Sequence, residues 1–96
     1  MVEIIKTDAF EEAFRAIRYS AAQQKILVRI RRLSLGNPGS VRPVGEGISE
    51  LKIDHGPGYR VYYAQRGAEL ALILLCGDKS TQDRDIAKAK ELNSTE

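Results

Sequence analysis

Tryptophan is absent from this 96-residue sequence, and the aromatic side chains are limited to four tyrosines and two phenylalanines. The core must therefore be built mainly from Ile, Leu, Val and Ala, and extensive aromatic platforms for stacking nucleic-acid bases are not expected. A chain of this length forms one hydrophobic core, so residues 1–96 are expected to be a single domain. This size also excludes most large cofactor folds.

Cysteine occurs only once, which excludes an internal disulfide and fits a reducing compartment. Cys76 ends the apolar run 70–76, where burial is the usual fate of a thiol and a catalytic thiol is the alternative. No segment approaches the roughly 18 apolar residues of a membrane span, and residues 1–14 lack the apolar stretch of a signal peptide. We therefore expect a cytoplasmic protein with no membrane contact.

An excess of charge is also lacking, because fifteen Lys and Arg residues stand against thirteen Asp and Glu residues, a net charge of +2. The charge is nevertheless segregated along the chain. Residues 15–66 carry ten basic and three acidic side chains, whereas residues 1–14 sum to −3 and residues 67–96 to −2. The basic middle of the chain indicates a surface that an acidic partner can pair with.

Apolar periodicity and turn residues predict the order β-α-α-β-β-β-α, an α+β domain in which an antiparallel sheet packs on an N-terminal helical hairpin. Strands are predicted over 2–6, 48–54, 59–65 and 69–76, the last of them central in the sheet. Helices are predicted over 9–19, from 20 to about 36, and after residue 80, with Asp8, Ser20 and Ser80 as their caps. The Gly- and Pro-rich segment 36–47 is predicted to be a loop with one extended stretch over 41–44.

Phosphate-binding glycine loops, Cys/His metal clusters and nucleophile elbows are all missing, so no cofactor or metal is expected. Six polar residues on and beside the predicted sheet remain: Lys52, Arg60, Tyr62, Lys79, Gln82 and Asp85. Outward side chains on neighbouring antiparallel strands lie about 5 Å apart at Cβ, so Lys52 and Arg60 are predicted to flank one groove. A solvated sheet face is the alternative for Lys52. An arginine among tyrosines, like Arg60, is either paired with an acid or presented to an anion.

His55 is the only imidazole and therefore the first candidate for a general base, but it lies in a Gly-Pro turn where a structural or merely exposed histidine is the alternative. The cations of the second helix, among them Arg29 and Arg32, spread around its circumference. They form either a solvated face or a surface that contacts phosphates.

Two motifs carry a resemblance to a known family. The segment GISELKIDHGPGYRVYYAQ, followed by LILLCGDKSTQDRDIAKAKEL, resembles the signature of the HigB-type addiction-module killer toxins, a branch of the RelE/ParE superfamily. The likeness covers residues 47–92, and the preceding helical hairpin and GNPG loop fit the same layout. It implies a microbial-RNase-like fold without metal and a toxin of a type II toxin–antitoxin pair, neutralised by a cognate antitoxin. In the commoner branch the toxin enters the ribosomal A site and cuts messenger RNA.

The resemblance also implies roles for individual residues. Arg60 matches the family's strand arginine and would stabilise phosphate charge, and Lys79 would do the same or protonate the leaving group. Glu50 or Asp85 would be the carboxylate base. The expected RNA-binding residues are Lys52, Tyr62, Gln82, Arg29 and Arg32. The sequence departs from several ribosome-dependent relatives, which place a Tyr or His near the C-terminus, because this chain has neither after Tyr63.

Three interpretations remain open at this point. The first is a ribosome-dependent mRNA endonuclease. The second is a ParE-like toxin that binds DNA gyrase and poisons it without nuclease chemistry, which would account for the missing C-terminal Tyr or His. The third is a decayed or purely regulatory member that acts only in an antitoxin complex. The antitoxin is expected to dock on an exposed sheet edge or in the groove of the helical hairpin.

Overall fold

The computed structural model describes residues 1–95 as five strands, three α-helices and one short 3-10 helix. The strands are β1 (Glu3–Lys6), β2 (Val41–Gly45), β3 (Ile48–Ile53), β4 (Tyr59–Arg66) and β5 (Leu70–Asp78). The helices are α1 (Asp8–Arg15), α2 (Ser20–Ser34) and α3 (Gln82–Thr95), and the 3-10 helix (Lys79–Thr81) leads into α3. The predicted α+β class is confirmed.

One mixed sheet organises the domain, with the strand order β1-β5-β4-β3-β2. Strands β2 to β5 form an antiparallel meander, and β5 is an inner strand, as predicted. The extended stretch expected near 41–44 is a full edge strand, β2, interrupted by a register shift between Pro43 and Gly45. β1 departs from the expected antiparallel sheet because it pairs parallel to β5.

Helices cover both faces of the sheet. On one face, α1 and α2 enclose a core that includes Phe10, Ile26, Val61 and Ile73. On the other face, α3 covers a second core around Tyr62, with Ile86 and Leu92 packed against it. Alternation along β4 separates Tyr59, Val61 and Tyr63 from Arg60 and Tyr62, as the strand period predicts. Arg60 therefore emerges on the α3 side of the sheet.

The helix starts differ from the sequence prediction. Thr7, not Asp8, caps α1, because its hydroxyl accepts a hydrogen bond from the Phe10 amide. Ser20 is the first residue of α2 and gives no side-chain cap, since the capping position is Tyr19. Asp78, not Ser80, caps the turn before α3 by accepting a hydrogen bond from the Ser80 amide. Thr7 and Asp8, and likewise Asp78 and Ser80, have similar capping propensities, so propensity alone did not select these two caps.

The ends of two elements also differ from the prediction. α1 stops at Arg15, four residues before the predicted end at 19, and β5 runs two residues beyond Cys76. Cys76 is buried, and burial, together with the nearby Asp85 carboxylate, raises the pKa of its thiol to about 12. That value keeps the thiol protonated and gives no support to a catalytic role.

Within residues 1–95, no helix is long and apolar enough to cross a membrane.

Thr7 joins α1 to the sheet, since its buried hydroxyl also donates to the Leu74 carbonyl at 2.9 Å. Thr7→Ala is expected to lower the free energy of unfolding by about 2 kcal/mol, because it removes a helix cap and a buried hydrogen bond together. Urea unfolding followed by circular dichroism measures the change. Thr7→Ser keeps the hydroxyl and should lose less than half as much; equal losses would show that the methyl group, not the hydroxyl, matters.

Candidate functional site

The ends of β3, β4 and β5 surround an open concavity of about 440 Å³ on the surface of the domain. We call it the cationic concavity, because Lys52, Arg60 and Lys79 all border it. Its lining is Lys52, Asp54, His55, Gly56, Pro57, Gly58, Arg60 and Lys79. The structure therefore brings together three residues that lie up to 27 positions apart in the sequence.

Strand register places the cations. Lys52 and Arg60 are directly paired across β3 and β4, as the sequence predicted, and Gly77 pairs with Arg60 from β5. The Lys79 amide donates to the Gly58 carbonyl at 2.8 Å, which fastens the end of β5 to the turn between β3 and β4. These backbone bonds fix the Cα positions from which the cationic side chains extend.

Gly58 allows the turn to lie close to Arg60. Its φ is +84°, a left-handed conformation that side chains disfavour, and a Cβ at this position would lie 3.3 Å from Arg60 Nη1. Glycine at this position therefore allows the left-handed turn and also leaves room for the Arg60 guanidinium.

The Arg60 guanidinium is buried, with 5% of the residue exposed, and its hydrogen bonds are incomplete. Nη1 donates to the Tyr59 carbonyl at 3.1 Å, while Nε has no hydrogen-bond partner within residues 1–95. The nearest carboxylate oxygen, Glu50 Oε1, is 3.8 Å from Nε. A buried cation with unused donors is suited to binding an anion.

Glu50 is shared among several partners and is itself only 1% exposed. Oε1 accepts from Arg42 Nε at 2.9 Å and Oε2 accepts from Gln82 Nε2 at 2.8 Å. Burial by itself would raise the pKa of Glu50, but these hydrogen bonds and the charges of Arg42 and Arg60 outweigh it and lower the pKa. One carboxylate thus faces two guanidiniums, which leaves positive charge in excess beside the concavity.

Asp85 lies apart from the cationic concavity. Its buried carboxylate accepts a hydrogen bond from the Thr81 hydroxyl at 2.6 Å and lies against Gly77, where a Cβ would collide with Oδ2. Gly77 therefore provides the space in which α3 settles on β5. These contacts give Asp85 a structural role at the start of α3.

Neither Tyr62 nor Gln82 lines the cationic concavity. Tyr62 is fully buried, its hydroxyl has no hydrogen-bond partner within residues 1–95, and burial, followed by the charge of Glu50, raises its pKa. Gln82 is half-buried and its amide is engaged by Glu50. The RNA contacts expected of these two residues from the sequence are thus restricted by their packing.

Arg29 and Arg32 lie elsewhere, along a separate groove between α2 and the end of β3. The Arg29 guanidinium donates to the carbonyls of Pro38, Ser40 and Lys52, at distances between 2.6 and 3.2 Å. Burial and the neighbouring Arg32 charge lower its pKa. Arg29 therefore fastens the loop before β2 to the sheet, and we do not retain it as an RNA ligand. Arg32 is exposed.

His55 and Asp54 border the concavity but were not among the site residues selected from the sequence. His55 is half-buried in the turn, where the Gly58 amide donates to its carbonyl at 3.0 Å. Two signals in the sequence could have selected His55: it is the only imidazole, and it comes three residues before Gly58. Within residues 1–95, no group of three or more His, Cys, Asp or Glu side chains is placed to hold a metal ion.

Comparison with known proteins identifies two relationships. A family model described as "Phage derived protein Gp49-like (DUF891)" matches residues 6–93. A protein of Haemophilus influenzae named "Uncharacterized protein" is 44% identical over 91 residues, which cover 95% of this chain and 92% of the relative. The family match spans β2 to β5, α1, α2, most of α3 and all the residues that line the cationic concavity.

Glu50→Gln tests the buried carboxylate. A lowered folded-state pKa means that Glu50 contributes its full stabilisation above the unfolded pKa of about 4.3 and loses it as the pH falls through the folded value. At pH 7 we expect Glu50→Gln to lower the free energy of unfolding by about 3 kcal/mol, because two guanidiniums lose their counter-ion. The difference from the wild type should vanish in acid, where Glu50 is itself neutral.

Urea unfolding at a series of pH values measures this difference. Glu12→Gln, an exposed glutamate on α1, is the control and should change the free energy by no more than about 0.5 kcal/mol at any pH. A deficit of Glu50→Gln that is independent of pH would show that its charge does not stabilise the fold.

Proposed function

The chain belongs to the Gp49-like family of phage-derived proteins, and on that basis we propose that it is the toxin of a toxin–antitoxin pair and cleaves messenger RNA on the ribosome. The family is associated with toxins of such pairs, which supports both the toxin and an antitoxin partner. The nuclease activity rests on one observation, the convergence of Lys52, Arg60 and Lys79 around a single concavity.

Cleavage of RNA at a 2′-hydroxyl makes specific electrostatic demands. The 2′-oxygen loses its proton and attacks the adjacent phosphorus, the bond from phosphorus to the 5′-oxygen breaks, and that oxygen takes a proton. Negative charge accumulates on the phosphoryl oxygens in between. Positively charged donors that are already in place stabilise this charge without reorganisation, so a fixed cationic site accelerates the reaction.

Arg60 meets this demand best, because burial and the hydrogen bond to the Tyr59 carbonyl hold it in place while Nε remains without a partner in the described chain. We assign it to the phosphoryl oxygens. Lys52 and Lys79 are exposed at the rim, where they orient the RNA backbone. We also assign to Lys79 the proton that the departing 5′-oxygen takes.

The base that takes the 2′-proton is the remaining assignment. Both carboxylates considered from the sequence are poorly suited to it, since Glu50 is enclosed by its hydrogen-bond partners and Asp85 does not line the concavity. His55 borders the concavity, and imidazole is the side chain that enzymes use most often for proton transfer. We therefore assign the general base to His55.

Binding to DNA gyrase, the second interpretation, requires neither proton transfer nor a group that stabilises charge on phosphoryl oxygens. The cationic concavity accordingly favours the nuclease. An antitoxin with an acidic segment would neutralise the toxin by covering the same cations.

Lys79→Ala is the test of the nuclease. In a reconstituted translation reaction we expect the wild type to cut message only when ribosomes are present, and Lys79→Ala to cut roughly 100-fold more slowly, the usual loss when one donor to a developing charge is removed. Primer extension on the message measures the cuts. Lys6→Ala removes an exposed lysine from β1, at the far edge of the sheet, and should cut at the wild-type rate.

Two results would contradict the proposal. Arrested translation with intact message would exclude cleavage, and gyrase-dependent DNA breaks with normal translation would favour the second interpretation. Arg60→Lys is a further variant that keeps the charge but loses the planar fork of donors; it should also cut slowly while its unfolding curve stays close to that of the wild type.

A further inference from the structure

A second concavity, of about 390 Å³, lies beside the cationic one. Its lining is Tyr19, Ala21, His55, Gly56, Pro57 and Tyr59. The two concavities share the three consecutive turn residues 55–57, so they lie on either side of the same turn. Apart from the His55 imidazole, no ionisable side chain other than the two phenols lines the second concavity.

Tyr19 is the unusual feature of this concavity, because 67% of this large aromatic residue is exposed. It occupies the capping position of α2, and its side chain provides no cap to the helix. Tyr59 also lines the concavity but is buried, and burial, then the charges of Asp78 and Tyr19, raise the pKa of its phenol. Neither core of the domain includes Tyr19.

We propose that this second concavity is a nucleobase subsite, which stacks one base of a single-stranded RNA against Tyr19 while a phosphate of the same strand lies in the cationic concavity. The inference rests on the proposed function, because the phosphate anchors the strand. The charges of the two concavities indicate which part of the strand each would bind. The cationic concavity, with three cations, suits the phosphate, and the second concavity, lined by two tyrosines, suits the base.

The floor between the two subsites is rigid. The Gly58 amide donates to the His55 carbonyl at 3.0 Å, the His55 amide donates to the Ile53 carbonyl at 3.1 Å, and Pro57 restricts the backbone between them. A preformed turn binds a strand with little ordering cost. Stacking uses the face that all four bases present, so the subsite is expected to show little preference among them.

The experiment compares two fluorescently labelled probes of equal length and charge, a short single-stranded oligoribonucleotide and the same ribose-phosphate chain without bases. Fluorescence anisotropy at low salt measures their affinities. We expect the wild type to bind the RNA roughly five- to 150-fold more tightly than the abasic chain, the range that base stacking on an aromatic side chain supplies. Tyr19→Ala should remove this difference without weakening the abasic chain, and Tyr19→Phe should retain it.

Leu35→Ala is the matched control, since Leu35 is 56% exposed and lies at the opposite end of α2, about 20 Å from Tyr19. Its affinities should equal those of the wild type. Lys52→Ala should weaken both probes equally, which separates the phosphate contribution from that of the base.

The outcomes separate this inference from the proposed function. Equal wild-type affinities for the two probes, weakened by Lys52→Ala, would overturn the nucleobase subsite and leave the cationic site in place. Binding of neither probe would overturn the subsite and the phosphate site together. A Tyr19→Ala variant that loses affinity for an antitoxin but not for RNA would also overturn the subsite and show a protein-docking surface.

Discussion

The Glu50 carboxylate is the group on which the arrangement of the site depends. Glu50 lies on β3 and is enclosed by groups from three other elements: Arg42 comes from β2, Arg60 from β4 and Gln82 from the first turn of α3. A carboxylate taken out of water is costly unless it is paired and fully hydrogen-bonded. The edge strand, the central meander and α3 must therefore assemble together around it. This requirement couples the fold to the position of Arg60.

The same arrangement explains why the cationic concavity remains cationic. Arg42 takes the short hydrogen bond to Glu50, while Arg60 Nε is left 3.8 Å away. If Arg60 held the carboxylate alone, its charge would be neutralised and it would offer little to a phosphate. Sharing Glu50 with an exposed arginine keeps Arg60 fixed without satisfying it. The residue that the sequence suggested as a base thus contributes by positioning a cation.

Local sequence periodicity predicted the parts of the site that depend on strand register. The two-residue period of β3 and β4 was sufficient to pair Lys52 with Arg60. Lys79 was already a candidate beside the sheet, and the family resemblance gave it a role. Contacts between distant elements left no local signal. For Arg29 the sequence offered a solvated face or a phosphate contact, whereas its partners are loop and strand carbonyls up to 23 residues away. The position of the Asp85 carboxylate likewise depends on Gly77, because a Cβ there would occupy its place, and this contact between distant residues leaves no signal in the sequence.

The turn over 55–58 separates two concavities of different character, and on the proposals above it divides one ligand between them. Both concavities are open, so this small domain does not enclose a substrate. It also has few aromatic and acid–base side chains to place around one. The turn separates three cations from an exposed tyrosine. Its own hydrogen bonds and its Gly and Pro residues fix its backbone, and the strands on either side fix its ends. In the proposed function, a larger target such as the ribosome holds and stretches the RNA strand. The chain would then contribute only the charge, the proton transfer and one stacking surface.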